Sequence, residues 1–488
     1  MVTSEFSGDI YAATERENRH STGQGGIFRG PLRATSIGIL ILITIIAFEA
    51  MAVAAALPTA AKDLHGLGAY GWVFTGFLIA NVVGMVVAGQ VSDSHGPRVP
   101  LAAGLVAFVT GLVLAGAAPW MAMLVAGRVV QGLGGGLLIT ASYVVIGESY
   151  PEALRPKLFA AISSAWIVPS LIGPLVSGVL AQHVSWRWVF LGLVPFVLAG
   201  CTLLVPTLRA MRSAHVHTGG GLADPPPPAT PSPAGGPPGR VLHALAVAAG
   251  IAALEQAGQH PSPLSIALGV LGLAALLWGL HTLLPAGTVT VRPGPSAPIA
   301  LRGLLAGAFF GVESIVPLSM TVQHGYGATA AGLPLAISGL AWSVGSYVQS
   351  RDPKGDEERH RIRLVRSGLS LIACAAVLVA IVVHPGVPGW LMYPSWCVAG
   401  FGAGLSMSTV SVLLLKYTND EDRGADSAAL QLSDATVSAF TTGIAGVLVA
   451  AAARASIGYT AAFAVIALAM AAVAACGAAV SGRVRAPR

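Results

Sequence analysis

The stretch "IGILILITIIAFEAMAVAAALPTAA", residues 37–61, is long and apolar enough to cross a bilayer, yet it carries Glu49 near its centre. A spanning helix needs roughly 20 apolar residues, and a carboxylate inside one is costly to keep in hydrocarbon unless it has a role there. The rest of the chain reads the same way. Of its 488 residues, 54% are hydrophobic and 10% charged, with a mean hydropathy of +0.74. A soluble domain of average make-up carries about 25% charged residues. Fourteen apolar runs follow one another, near 35–58, 70–92, 99–117, 120–146, 158–182, 187–206, 240–258, 263–285, 299–322, 328–350, 364–384, 389–415, 428–451 and 457–480. They are read as helices, because only helices and closed barrels satisfy their backbone hydrogen bonds in lipid and strand-length alternation is absent. The expected fold class is an all-α polytopic membrane protein with fourteen transmembrane helices.

The net charge of +6 does not point to nucleic acid, because its placement follows the membrane. With fourteen spans, nearly all of the 27 Lys and Arg fall on the side of the two termini; Lys62, Arg187 and Arg454 lie opposite and Arg128 lies within a span. That asymmetry predicts cytoplasmic termini. The mixed-sign cluster "RDPKGDEERHRIRLVR" (351–366) reads as a solvated loop. The first thirty residues have no apolar core and read as a tail, not a signal peptide. Cys201, Cys374, Cys397 and Cys476 fall inside spans without a C-x-x-C, so buried free thiols are expected, and the histidines show no metal-ligand spacing. No cofactor is implied. Arginine far above lysine, amid abundant Ala, Gly and Pro, fits GC-rich coding and a bacterial cytoplasmic membrane.

The spans form two sets. "HTGGGLADPPPPATPSPAGGPPGR" (217–240) cannot build a core and reads as a flexible linker. On its two sides, "QGLGGGLL" (131–138) in span 4 matches "AGFGAGLS" (399–406) in span 12, an offset of eight spans. Six spans therefore repeat in parallel with two inserted between them. The expected organisation is a tail over 1–34, a six-helix bundle over 35–206, a linker over 207–239, two inserted helices over 240–285, a second bundle over 299–480 and a tail over 481–488. Repeats of this kind mark secondary transporters, whose site lies near the midplane between halves.

Four motifs sharpen this. "GQVSDSHGPR" (89–98) resembles the loop G-x-L-A-D-R-x-G-R-R between spans 2 and 3 of the major facilitator superfamily, through Gly89, Asp93, Gly96 and Arg98; Ser94 and Pro97 stand where basic residues are usual. Gly89 would let a neighbouring helix approach, and Asp93 could face a helix dipole or an arginine. In the family this loop latches the halves. "LVAGRVVQGLGGG" (124–136) resembles the second family motif, with Arg128 as its intramembrane arginine. "WIVPSLIGPLVSG" (166–178) is similar to the antiporter signature through Gly173, Pro174 and Gly178, and also reads as plain helix packing. "FEAMAVAAALP" (48–58) is similar to the span-1 motif of the fourteen-span drug:proton antiporter branch, with Glu49 at its acidic position and Met51 where the branch has a polar residue; "SWRWVF" (185–190) fits the same branch.

The resemblance implies two bundles rocking around a midplane site, proton entry driving export of an amphipathic organic substrate, and a monomer in the bilayer. Import of a small solute, or a non-transporting sensor, remain the alternatives. Glu49 and Glu313 lie at the same depth of paired spans, and Arg128 enters to a similar depth, so three charges are expected to converge. A buried carboxylate is pushed toward neutrality by desolvation and pulled back by a nearby cation, which couples its proton to the state of the site. Glu49 is the expected proton carrier, tuned by Arg128, while Glu313 either shapes the site or carries a second proton. Asp434 reads as a gate or as a helix-end residue. Glu255 is expected at the membrane interface. Met51, Trp166, Trp342 and Trp396 are candidate substrate contacts, with bulk packing as the alternative for each tryptophan.

Overall fold

The computed structural model describes residues 27–28, 32–151, 154–204, 239–260, 262–350, 357–419, 423–454 and 457–485. The proline-rich linker and nearly all of the N-terminal tail lie outside the described residues. Within them the chain runs through α1 (Leu32–Asp63), α2 (Leu67–His95), α3 (Arg98–Gly116), α4 (Met121–Ser149), α5 (155–183), α6 (Trp188–Leu204) and α7 (Arg240–Gln259). It continues through α8 (Pro263–Leu283), α9 (Ser296–His324), α10 (Ala328–Gln349), α11 (Glu357–Val382), α12 (Gly389–Tyr417), α13 (Arg423–Ala453) and α14 (Tyr459–Val480).

Twelve of these helices are long and apolar enough to cross a membrane. The other two, α5 and α6, occupy the spans expected at 158–182 and 187–206; fourteen helices are thus counted among the described residues, and these two fall short of a full span as continuous helices. The cause in α5 is local. The segment divides into Arg155–Ser164 and Ile167–His183, because Pro169 has no N–H for the Ala165 carbonyl and its ring crowds that oxygen. The same rule breaks α9 into Ser296–Glu313 and Val316–His324, four residues back from Pro317. At this break the Tyr70 hydroxyl of α2 donates to the Ser314 carbonyl at 3.0 Å.

Packing repeats at an offset of eight helices. α2 packs on α4 as α10 does on α12; α3 on α4 as α11 on α12; α1 on α5 as α9 on α13; and α3 on α6 as α11 on α14. The matched glycine motifs explain the first pair. A Cβ on Gly132 would overlap the Phe77 carbonyl oxygen, and one on Gly400 would overlap that of Ser338. Gly136 meets Asn81 and Gly404 meets Trp342 in the same way. Such small faces let backbones close up where the hydrophobic effect between helices is absent.

Side-chain ties sort the loops onto two faces. On the near face, where α1 begins, Lys416 pairs with Glu358 at 2.9 Å, Arg366 reaches Ser481 and Arg483 reaches the Thr290 carbonyl. On the far face Asp63 accepts from Trp186 Nε1 at 2.9 Å and pairs with Arg187 at 3.2 Å, so the "SWRWVF" motif pins the start of α6 to the end of α1. The repeat sets meet through α2–α13 and α5–α10. Their close approaches run from the far face, with Gly71 against Gly446 and the Cβ position of Gly178 2.8 Å from Thr329 Cα, to mid-helix, with the Cβ position of Gly339 2.8 Å from the Ser170 carbonyl oxygen. Gln182 also accepts from the Thr329 amide at 3.2 Å.

The inserted hairpin α7–α8 zips along Gly250, Gly269, Gly272 and Gly279 and leans on α2 and α13. A Ser262–Ser265 capping box starts α8. The four cysteines are free, as expected, but Cys374 and Cys476 are exposed on the outer helix surface, not buried. Apolar flanks of spanning helices face lipid, and these thiols sit on such flanks.

Candidate functional site

Glu49 of α1 is 0% exposed and Arg128 of α4 is 2% exposed. Their side chains form an ion pair through Glu49 Oε1 and Arg128 Nη1. Arg128 Nη1 also donates to Gln131 Oε1 at 2.9 Å, one turn on along α4, and Nε donates to the Val73 carbonyl at 3.1 Å. The Phe77 ring lies under the guanidinium, 4.1 Å from its carbon. Gly132 makes this possible, because its bare face lets α2 approach until Val73 and Phe77, one turn apart, flank the arginine. Glu49 Oε2 and Gln131 Nε2 are buried without hydrogen-bond partners among the described residues. The site thus keeps one spare acceptor and one spare donor beside a charge pair.

Glu313 closes the first helix of α9 at 6% exposure, and its Oε2 has no partner. No hydrogen bond or ion pair joins it to Glu49 or Arg128 among the described residues. The expected convergence of three charges is therefore a pair plus a separate carboxylate; equal depth along repeated helices fixes a level, not a contact.

Asp434 of α13 is held by Arg302 of α9, Nε to Oδ2 at 2.7 Å, and Arg302 also donates to the Met407 carbonyl at 3.0 Å and to Ser411 Oγ at 3.3 Å on α12. This three-helix tie was not expected. Arg302 sits close to the start of its span and was assigned to the cytoplasmic charge; its spacing along the chain carries no sign of its partner, 132 residues away.

The candidate substrate residues separate. Trp396 is 1% exposed and stacked on Phe309, centroids 5.0 Å apart at 28°. Trp342 also meets Phe309, edge-on at 5.4 Å. Phe309 is thus the centre of an aromatic knot in α9, α10 and α12 that the tryptophans alone did not announce. Met51 packs beside Gly173, whose Cβ position is 3.3 Å from Met51 Cβ. Trp166, 38% exposed at the break in α5, joins neither group.

The motif residues sort by role in this conformation. Gly173 faces α1, while Gly178 and the Pro174 carbonyl face α10, so the α5 signature is the crossing with both. Gly96, at φ +73°, ends α2 in a conformation that favours glycine. Gly89, expected to admit a close helix, has nothing within 4 Å of its Cβ position. Asp93 is exposed, with no ion pair among the described residues, and Arg98 Nε is buried without a partner. Among the described residues neither Asp93 nor Arg98 Nε is tied across the near face, while close contacts between the repeat sets run from the far face to mid-helix. Glu255, expected at the interface, is 2% exposed inside the α2–α7–α13 contact. No group of three His, Cys, Asp or Glu among the described residues is placed to hold a metal ion.

The sequence profile described as Major Facilitator Superfamily matches residues 39–442. The chain belongs to that family. It is a multi-pass membrane transporter. A probable multidrug-efflux transporter of Mycobacterium tuberculosis is 28% identical over 407 residues, 80% of this transporter and 82% of that protein. Multidrug resistance protein 3 of Bacillus subtilis is 31% identical over 181 residues, 37% of this chain and 35% of that one. Among solved structures, the POT family transporter PepTSo superposes with a TM-score of 0.64 at 14% identity, covering 92% of this chain and 97% of that one. A D-xylose-proton symporter gives 0.56 at 17%, covering 90% and 95%. These superpositions establish the fold.

Proposed function

We propose that the chain is a proton-coupled exporter of amphipathic organic compounds, working by alternating access between two six-helix bundles (35–206 and 299–480) with α7 and α8 inserted between them. In this reading α5 and α6 complete fourteen passages, both termini are cytoplasmic, and a monomer sits in a bacterial cytoplasmic membrane. The observation that carries it is the buried pair of Glu49 and Arg128. An arginine cannot shed its charge, so when a proton neutralises Glu49 the guanidinium loses its counter-charge and the site reorganises around Gln131 and Val73. A substrate that offers a positive or hydrogen-bonding group competes with that proton. Glu313 serves as a second carrier or shapes the pocket, and Asp434 with Arg302 ties the near ends of α9, α12 and α13. A proton falling through 100 mV supplies about 2.3 kcal/mol, enough for concentrative export. The names of the mycobacterial and Bacillus relatives favour multidrug efflux.

The test is substrate-induced proton release from purified protein, wild type against Glu49→Gln, with a panel of lipophilic cations and antibiotics. Release in wild type and none in the variant is expected. Binding without release in wild type, or equal release in both, would remove Glu49 from the role of carrier.

A further inference from the structure

The inserted hairpin places one ionisable side chain inside the protein, and the mechanism above leaves it unused. Glu255 of α7 is 2% exposed. It sits on the crossing of α2 and α13, where a Cβ on Gly71 would overlap Gly446 Cα, and a Cβ on either glycine would come within 2.9 Å of Glu255 Oε1. The carboxyl thus rests against the point where the repeat sets touch near the far face.

Its polar surroundings suit a neutral acid. Gln259 Nε2 donates to Glu255 Oε1 at 3.1 Å, and Trp72 Nε1 of α2 holds the Gln259 oxygen at 3.1 Å. Glu255 Oε2 has no donor. Beside it lies Thr75 Oγ1, 0% exposed and also without a partner. The two atoms flank the Cβ position of Gly443 at 3.6 and 3.7 Å. The Thr75 hydroxyl can accept a proton carried on Oε2 or donate to a bare Oε2, so it serves both forms; the bare form is the costly one because only two neutral donors, Gln259 and Thr75, would face its buried charge.

No cation pairs with it among the described residues. α8 carries only His281; α2 carries Tyr70, bonded to Ser314, and at its near end Asp93 and His95; α13 carries Arg423, Asp426 and Asp434, the last nine residues, about 13 Å, from Gly443, and just past its far end the exposed Arg454, eight residues, about 12 Å, from Gly446. On α7 itself Arg240 and His243 lie at the near end, and His260 is exposed just past the far end. None of them forms an ion pair with Glu255 among the described residues.

We propose that Glu255 is a proton-binding site contributed by the inserted hairpin to the α2–α13 seam, proton-bound while the far face is closed and ionised when Gly71 and Gly446 part and water reaches it. The proposal rests on the reading that this seam opens during transport. It gives the hairpin a function: a proton that holds the seam shut, separate from the one at Glu49.

The test uses the full chain in lipid nanodiscs, with its native cysteines replaced and spin labels at Lys62→Cys and Arg454→Cys, both exposed on the far face. The closed-to-open ratio, read from label distances, is followed against pH with and without tetraphenylphosphonium. One linked proton changes that ratio by up to about tenfold per pH unit. The expected result is that Glu255→Gln loses one proton's worth of slope and stays closed to higher pH, while Glu255→Asp keeps the slope. Infrared difference spectra should show a protonated-carboxyl band in wild type that Glu255→Gln removes. A seam that opens identically in wild type and Glu255→Gln, a band unchanged by the variant, or a ratio that answers sodium but not pH would each overturn the proposal with alternating access intact. A seam that opens in neither protein at any pH or ligand would overturn alternating access as well.

Discussion

Cutting one partner from the Glu49–Arg128 pair should cost far more than cutting both. In Glu49→Leu the guanidinium of Arg128 remains, 2% exposed, with only the Val73 carbonyl, the Gln131 oxygen and the Phe77 face for company. Removing one member of a buried ion pair costs about 3–5 kcal/mol, because the survivor is left uncompensated. The hydrogen bonds that Arg128 keeps to charged-group standard, worth about 1.5–3 kcal/mol each, are already present in the wild type and so do not offset the loss. Arg128→Leu instead strands a carboxylate that has no other hydrogen-bond partner on Oε2. The double variant Glu49→Leu/Arg128→Leu places apolar groups of similar bulk in an apolar surround, which is often neutral. The expected coupling is therefore about 3 kcal/mol or more, positive in the sense that the double variant is more stable than the sum of the singles. Reversible unfolding in mixed micelles, run as a double-mutant cycle, measures it. Additivity within about 0.5 kcal/mol would show that the two side chains do not share a desolvated pair, and the coupling mechanism built on them would fall.

Other expectations are simpler. Gly132→Ala and Gly400→Ala should each lower stability by about 1–3 kcal/mol through overpacking, whereas Gly89→Ala, with nothing near its Cβ position, should lie within about 0.5 kcal/mol of wild type in the same unfolding assay. Phe309→Ala should cost about 3–5 kcal/mol and shift the tryptophan emission, because both Trp342 and Trp396 rest against its ring. Arg302→Gln should cost about 1 kcal/mol, less than the Glu49 pair, since the Asp434 contact is partly exposed at 16% and 19%. A lipid-soluble maleimide should label Cys374 and Cys476 before Cys201 and Cys397, read by mass spectrometry.

The helical class, the matched packing at an offset of eight helices and the meeting of Glu49 with Arg128 were legible in the chain. Hydropathy marks spans, matched glycines mark equivalent crossings, and two opposite charges at one depth of neighbouring helices have little else to pair with. What was not legible depends on helix rotation. α7 is apolar around most of its circumference, so its sequence does not say whether Glu255 turns to lipid headgroups or to the α2–α13 crossing. The Arg302–Asp434 tie joins helices far apart in sequence. Pro169 and Pro317 announce bends, but that they would split α5 and α9 depends on how the neighbouring helices hold the two pieces. Gly89 is matched by its motif, but a motif alone does not say which neighbour, if any, lies against it.

The hairpin α7–α8 lies along one of the two seams only. It covers α2 and α13, while α5 and α10 carry no such cover among the described residues. The two flanks of the protein are therefore unequal toward the bilayer. Acyl chains press directly on the α5–α10 seam, whereas they reach the α2–α13 seam only through the hairpin.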